Sequence, residues 1–505
     1  MNRVPGLLLV VGSLTLAACG GGHDDNDMPA AAPAMPPPRG SLIEAPVRTT
    51  SLTPDTIASA LTSAEGGQLL LDLIVAPKCG IDVYQVRYNT VDPAAAATTA
   101  SGAMMIPTGT DPACQGPRPI VLYAHGTAAQ RSLNLADISS EDNLEGLLAA
   151  TMFTTQGYIL IAPNYTGYDM SALTYNPYLN ADQEAKDTID ALTAARGALP
   201  ASVTDSGKLF VTGYSQGGHV AMATHKMLQE TGAAITASAP MSGPYAVAAF
   251  ADAVFFGQVT RNTPLFLVFT STGYQKAYGD VYASPTDLFE ARYATGIETL
   301  LPSAVPRTQL FAQGSLPRDQ LFDSTPPDPS FASITPATAP ANLAPIFAQG
   351  FGPDHLVTNA FRLAYLQDAQ ANPDGSFPAV LDNQPAANPT NGLRRAFKRN
   401  DLRTWVPTAP VFLCGGADDP TVMFMNTQLI QAYWTANGVT APVTMLDLES
   451  SITSGDPDAA RKAGFAAAKA AIEADGGDAA VAEAYHSTLV PPFCLSAVKS
   501  FFDGL

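Results

Sequence analysis

Short apolar, β-branched runs recur along the chain, each bounded by turn residues, and predict buried strands. They cover residues 83–88, 103–106, 120–123, 158–162, 209–212, 235–239, 411–413 and 443–446. Between them, apolar positions at helical spacing mark residues 181–196, 216–229 and 426–437. This alternation predicts an α/β fold, a mostly parallel sheet with helices on both faces. The first two runs read as a leading hairpin. The rhythm stops over residues 245–405, which are rich in Pro, Phe and Ala, with helical pieces at 287–301 and 356–367. That interval falls between two core strands and reads as a large inserted cap. A second insertion is expected in the Ala-rich helix at 457–474, ahead of a closing helix at 491–502. The core is then split into residues 46–244 and 406–505.

The N-terminus has a different pattern. Arg3 precedes an apolar run from Val4 to Leu16, too short for an ordinary membrane span. Leu16-Ala17-Ala18-Cys19 follows, and this resembles a bacterial lipoprotein signal: residues 1–18 are removed and Cys19 is lipidated. By the same resemblance, Gly20 after the cysteine favours the outer membrane or cell surface. An ordinary secretory signal is the alternative. Residues 19–45 hold few large apolar side chains and read as a disordered tether.

Composition narrows the function. The 505 residues carry 26 Lys and Arg against 45 Asp and Glu, a formal net charge of −19. No basic stripe is present, so nucleic acid is a poor partner. Export changes the meaning of the 5 cysteines. With Cys19 lipidated, four remain in an oxidising compartment and allow three pairings. Cys79–Cys114 and Cys414–Cys494 are preferred, since each pair lies within one part of the chain. Unpaired buried thiols are the alternative. No C-x-x-C or H-x-x-x-H spacing suggests zinc, and no metal or cofactor is implied.

The chemistry centres on Gly213-Tyr214-Ser215-Gln216-Gly217. As an isolated G-x-S-x-G this is a weak signal. Its setting strengthens it, because residues 208–212 read as a strand and residues 217–222 begin a helix. A sharp strand-to-helix turn needs small flanking residues and lifts the Ser hydroxyl above the sheet, near a helix N-terminus.

On these residues the chain resembles the α/β-hydrolase fold from about Val83 onward, and within it exported bacterial esterases related to secretory lipases. The resemblance implies a Ser–acid–His order. His486 is the one histidine after the expected acid region and lies just before the closing helix. His125, His219, His225 and His355 read as packing, loop-orienting or incidental residues, and His23 precedes the fold. The family pattern G-x-x-D-x-x-V falls on Gly416, Asp419 and Val422, which favours Asp419 over Asp418 as the acid. The resemblance also implies two oxyanion donors: the Gln216 N–H, and the Thr127 N–H in Ala124-His125-Gly126-Thr127. This last turn departs from the HGGG form of many lipases. His125, Tyr165 and Tyr214 are candidate substrate-binding residues. A pure turn role for Asn164-Tyr165-Thr166-Gly167-Tyr168 stays equally open. A Cys414–Cys494 bridge would clamp the acid and base loops together.

The expected function is that of a serine carboxylic-ester hydrolase, of carboxylesterase or lipase type. It would form an acyl-enzyme on bulky or apolar esters, polyester fragments among them, while anchored to the membrane through Cys19. The first rival is a serine peptidase of the prolyl-oligopeptidase kind, although no propeller repeat precedes the first hydrolase strand. A non-catalytic surface binding protein is the second rival, and it has no need of all three triad residues.

Overall fold

The expected strands assemble into one sheet. The computed structural model describes residues 36–63, 76–138, 140 and 143–505. The signal at 1–18 and lipidation at Cys19 lie outside the described residues. The sheet contains β1 (Val47–Leu52), β2 (Gly80–Val91), β3 (Ala97–Thr108), β4 (Pro117–Ala124), β5 (Ile159–Pro163), β6 (Thr204–Tyr214), β7 (Ala237–Met241), β8 (Val411–Gly415) and β9 (Val443–Asp447). Their spatial order is β1-β2-β3-β5-β4-β6-β7-β8-β9. β1 to β3 pair antiparallel, and β3 meets β5 antiparallel. The other pairs are parallel. This is the α/β-hydrolase arrangement expected from the sequence, with the leading hairpin longer than predicted.

Side-chain alternation along β4 shows why both faces are covered. Ile120 and Leu122 join a core with the helices Ala181–Gly197 and Gln216–Glu230. Val121 and Tyr123 join the opposite core, built on the helices Leu144–Phe153 and Val490–Asp503. A strand buried on both faces must be apolar at every position, which is why these segments were readable as continuous apolar runs.

Both expected disulfides are present, Cys79–Cys114 and Cys414–Cys494. The second ties the end of β8 to the closing helix.

Other elements differ from expectation. The tether predicted over 19–45 stops earlier. Arg39 forms an ion pair with Asp190 at 3.0 Å, and Leu42 bridges Tyr88 in the manner of a strand. These residues are therefore docked on the body. β1 was not predicted. Its VRTTSL sequence is mostly exposed and lacks an apolar face to announce it. The expected helix at 287–301 breaks into Pro285–Leu288, Ala291–Ala294 and Ile297–Thr299. Phe289 turns extended there to bridge Val357, and Gly296 adopts φ 78°.

The interval between β7 and β8 is helical, with no named strand. Helices Val247–Phe255, Thr263–Tyr278, Asn359–Ala371 and Gly392–Asn400 surround an apolar core that includes Phe255, Leu321, Tyr365 and Phe397. Buried arginines stitch it together. Arg394 holds Asp252 and Asp368, each at 2.8 Å, and Arg403 holds Asp374 and Asp401. These two arginines and four aspartates are thus paired in the interior. The Ala-rich helix after β9 runs Ala459–Ala484, further than predicted, with a non-helical Gly477 inside it.

Candidate active site

Three parallel strands deliver the predicted site residues at their C-terminal ends, where α/β sheets place their ligands. β6 runs directly into Ser215, whose backbone sits at φ 59° and ψ −121°. A non-glycine residue holds such a conformation only when its surroundings impose it. The packing here does so. A Cβ at Gly217 would lie 1.9 Å from the Ala124 carbonyl oxygen, and one at Gly213 would lie 2.4 Å from the same atom. A Cβ at Gly218 would lie 2.5 Å from the Met241 carbonyl oxygen. The glycines let β4, β6 and β7 close around the turn. The Ser215 N–H donates to the Met241 carbonyl at 3.0 Å.

The predicted acid and base meet this serine. His486 lies in the single π-helical turn Tyr485–Leu489, ahead of the closing helix. Its Nε2 is 2.9 Å from Ser215 Oγ, and its Nδ1 is 2.7 Å from Asp419 Oδ2. Asp419 is buried, and its Oδ1 accepts from the Thr421 and Val422 N–H groups at 2.9 and 3.0 Å. Asp418 points elsewhere. It accepts from Asn342 at 2.8 Å and pairs with Lys469 at 3.0 Å. Geometry therefore selects Asp419. The arrangement can pass the Ser215 proton to His486 while a carboxylate fixes the tautomer and steadies the imidazolium.

The two expected oxyanion donors border the serine. Thr127 lines the cleft beside Ser215, and Gln216 opens the helix that follows it. Neither N–H is engaged by a hydrogen bond among the described residues. Gln216 is steadied through its side chain, which donates to Glu184 at 2.6 Å, and Thr127 Oγ1 lies 2.7 Å from the Tyr178 hydroxyl.

The three candidate substrate-binding residues fare differently. Tyr165 is fully buried and away from the cleft, so it is corrected to a brace. Its hydroxyl donates to the His125 carbonyl at 3.0 Å, and its ring stacks on His125 at 4.1 Å. Tyr168 does the same for Ala128, donating at 2.7 Å. His125 lines the cleft but is 1 % exposed, and burial pushes its imidazole down to about 4. It orients the turn as a neutral ring. Tyr214 lines the cleft, yet its hydroxyl donates to the His486 carbonyl at 2.7 Å and so positions the base. His219 and His225 are buried against Asn400 and Ser238, as packing residues.

Sequence reasoning missed Glu145, which looks like an ordinary helix-start charge. Its carboxylate accepts from the Gly126 N–H at 2.9 and 3.1 Å and from the Tyr123 hydroxyl at 2.9 Å. It thereby fixes the turn that carries Thr127. Burial pushes its carboxyl up to about 7, against the stabilising donors. A carboxyl raised on folding contributes fully below its unfolded pKa, and that contribution is lost as pH rises toward 7. Glu145→Gln lacks this titration. Its melting temperature should gain on that of the unsubstituted protein by a few degrees between pH 5 and pH 8, as followed by circular dichroism.

Ser215 stands between two cavities. One is a wide cleft of about 630 Å³ with a mixed lining, bordered by His125, Thr127, Leu133, Leu265, Arg261, Arg307 and Glu483 among others. The other is a narrow apolar slot of about 70 Å³ that enters the 245–405 interval past Val247, Val254, Phe255, Phe266 and Leu267. Among the described residues, no cluster of His, Cys, Asp or Glu could hold a metal ion.

Comparisons with known proteins bear on the fold and on the serine turn. Residues 148–264 match the prolyl oligopeptidase family. That segment contains the Ser215 turn but neither Asp419 nor His486. No curated protein matches the chain in sequence. Among solved structures, a ligand-bound form of the rice cell wall degrading esterase LipA from Xanthomonas oryzae matches at 26% identity and a TM-score of 0.65, covering 92% of this chain and 98% of that one. Another structure of the same esterase matches at 27% identity and a TM-score of 0.62, over 89% of this chain and 98% of that one. The sheet, the serine turn and these matches give this chain the α/β-hydrolase fold with a serine-hydrolase turn, similar to that of the Xanthomonas oryzae esterase.

Proposed function

We propose that the protein hydrolyses carboxylic esters through an acyl-enzyme on Ser215. The observation that carries this reading is the continuous Asp419–His486–Ser215 relay at 2.7 and 2.9 Å. His486 takes the hydroxyl proton, Ser215 Oγ attacks the ester carbonyl, and the Gln216 and Thr127 N–H groups hold the oxyanion. The alcohol leaves with the proton from His486. Water then attacks the acyl-enzyme by the same route in reverse.

The two cavities divide the substrate between them. The slot is apolar and narrow, and suits the acyl half. An apolar cavity of about 150 Å³ holds benzene, so the slot has room for roughly three carbons. The wide cleft of mixed lining suits a larger alcohol half. The expected bulky ester is then bulky on its alcohol side. Lipid anchoring at Cys19, at the outer membrane or cell surface, remains part of this proposal and rests on the sequence alone.

The prolyl-oligopeptidase match favours a peptidase as second reading, but it covers the serine turn without the acid or the base. The full-length likeness is to an esterase. A series of p-nitrophenyl esters beside peptide p-nitroanilides separates the two. Ester cleavage should peak near the butanoyl ester and fall about tenfold or more by dodecanoyl, since each methylene without room loses its burial. Anilide cleavage without ester cleavage would replace the esterase reading by the peptidase one.

A further inference from the structure

The wide cleft has a charge pattern that the relay does not use. Its wall beyond His486 carries Arg261, Arg307 and Glu483. Arg261 and Arg318 both pair with the same oxygen, Glu483 Oε2. Arg318 also lies 3.6 Å from Asp319, whose other oxygen accepts the Asn262 N–H. Three guanidiniums thus gather around two carboxylates, in a chain with 26 Lys and Arg against 45 Asp and Glu. Arg261 is largely buried and fixed by its pair. Arg307 is exposed, borders the cleft, and has no hydrogen bond or ion pair among the described residues. The other carboxylates on the cleft, Asp137 and Glu145, belong to the segment after β4 that carries the oxyanion turn.

We propose that this wall is an anion subsite, with Arg307 as its main contact, and that the preferred substrates are esters whose alcohol half carries a carboxylate. This deepens the esterase reading and rests on it. A guanidinium presents two parallel N–H donors that match a carboxylate. Arg307 is the one in this group whose donors are unused. With the acyl half in the slot, the alcohol half occupies the cleft, where an anionic end meets the arginine wall. Hydrolysis adds one water across the ester: the acyl carbon gains hydroxyl, and the alcohol oxygen leaves with a proton as a hydroxy acid.

The test compares two butanoyl esters on the full chain: that of 4-hydroxyphenylacetate and that of 4-hydroxyphenylacetamide. They match in size and differ in charge, and the methylene keeps the two phenols close as leaving groups. The anionic ester should be favoured in kcat/KM by about tenfold at low salt, the scale of one hydrogen bond to a charged group. The preference should shrink as salt screens it. Arg307→Gln should bring the ratio to about one, and Arg307→Lys should leave an intermediate ratio. Because the readout is a ratio within each variant, a partly misfolded sample does not mimic it. Equal kcat/KM for the two esters, or a preference that survives Arg307→Gln, would overturn the subsite alone. Hydrolysis of neither ester would remove the esterase reading together with the proposal.

Discussion

Ser215→Ala is expected to lower kcat for p-nitrophenyl butanoate by about four to six orders of magnitude, on the scale of triad serines elsewhere. The reason is chemical, with little structural cost. Ser215 Oγ is the only atom in the relay that can form the acyl bond, and its recorded hydrogen bond is the one to His486. The turn itself is held by Gly213, Gly217 and Gly218, and by the Ser215 N–H on Met241. Alanine keeps that N–H and the small Cβ. The variant should therefore fold with an unchanged circular dichroism spectrum and still bind the ester. Whatever acceleration over water survives belongs to the oxyanion donors. A stopped assay on equal concentrations of folded protein measures both points.

The second large effect separates two adjacent carboxylates. Asp419→Asn should lower kcat by about 10⁴-fold near neutral pH, while Asp418→Asn should stay within about threefold. Asparagine at 419 can keep the Thr421 and Val422 contacts through its carbonyl oxygen. Its amide then presents N–H to His486 Nδ1, which forces the proton onto Nε2. The base faces Ser215 with a donor where an acceptor is needed, and no carboxylate balances the imidazolium. Asp418 has none of these duties, since its partners are Asn342 and Lys469. Its side chain is 42% exposed, and such an ion pair contributes little. Comparable losses from the two substitutions would place the acid wrongly.

Much of this was legible in the chain because the same physics fixes pattern and place. The stretches of β4, β5, β6 and β8 that are buried on both faces are mostly apolar, so they stood out. The Ser215 turn needs glycine where backbone atoms pass within reach of a Cβ, so it stood out too. His486 and Asp419 followed from order along the chain. Other features leave no such trace. β1 is an exposed edge whose pairing depends on β2 and not on its own apolarity. Glu145 and Glu184 lie on helices and look like solvated charges, yet the fold half-buries Glu145 against the Gly126 turn and fully buries Glu184 against the Gln216 side chain. Tyr165 sits at the right sheet edge for a substrate contact, and only the stacking on His125 reveals that it points inward. The 245–405 interval hides most, because its core forms from short helices joined through buried arginine pairs across long separations, as Arg394 with Asp252 shows.

In the proposed mechanism Ser215, activated by His486, forms the covalent bond to the acyl group. Diethyl p-nitrophenyl phosphate reports that directly, since it phosphorylates an activated serine and releases p-nitrophenolate. Peptide mass spectrometry after treatment of the full chain should show one diethylphosphoryl group, on the peptide containing Ser215, with ester hydrolysis lost in step. Ser215→Ala should take up none. Retained ester hydrolysis with Ser215 fully labelled, or inactivation with the label on another residue, would contradict the account.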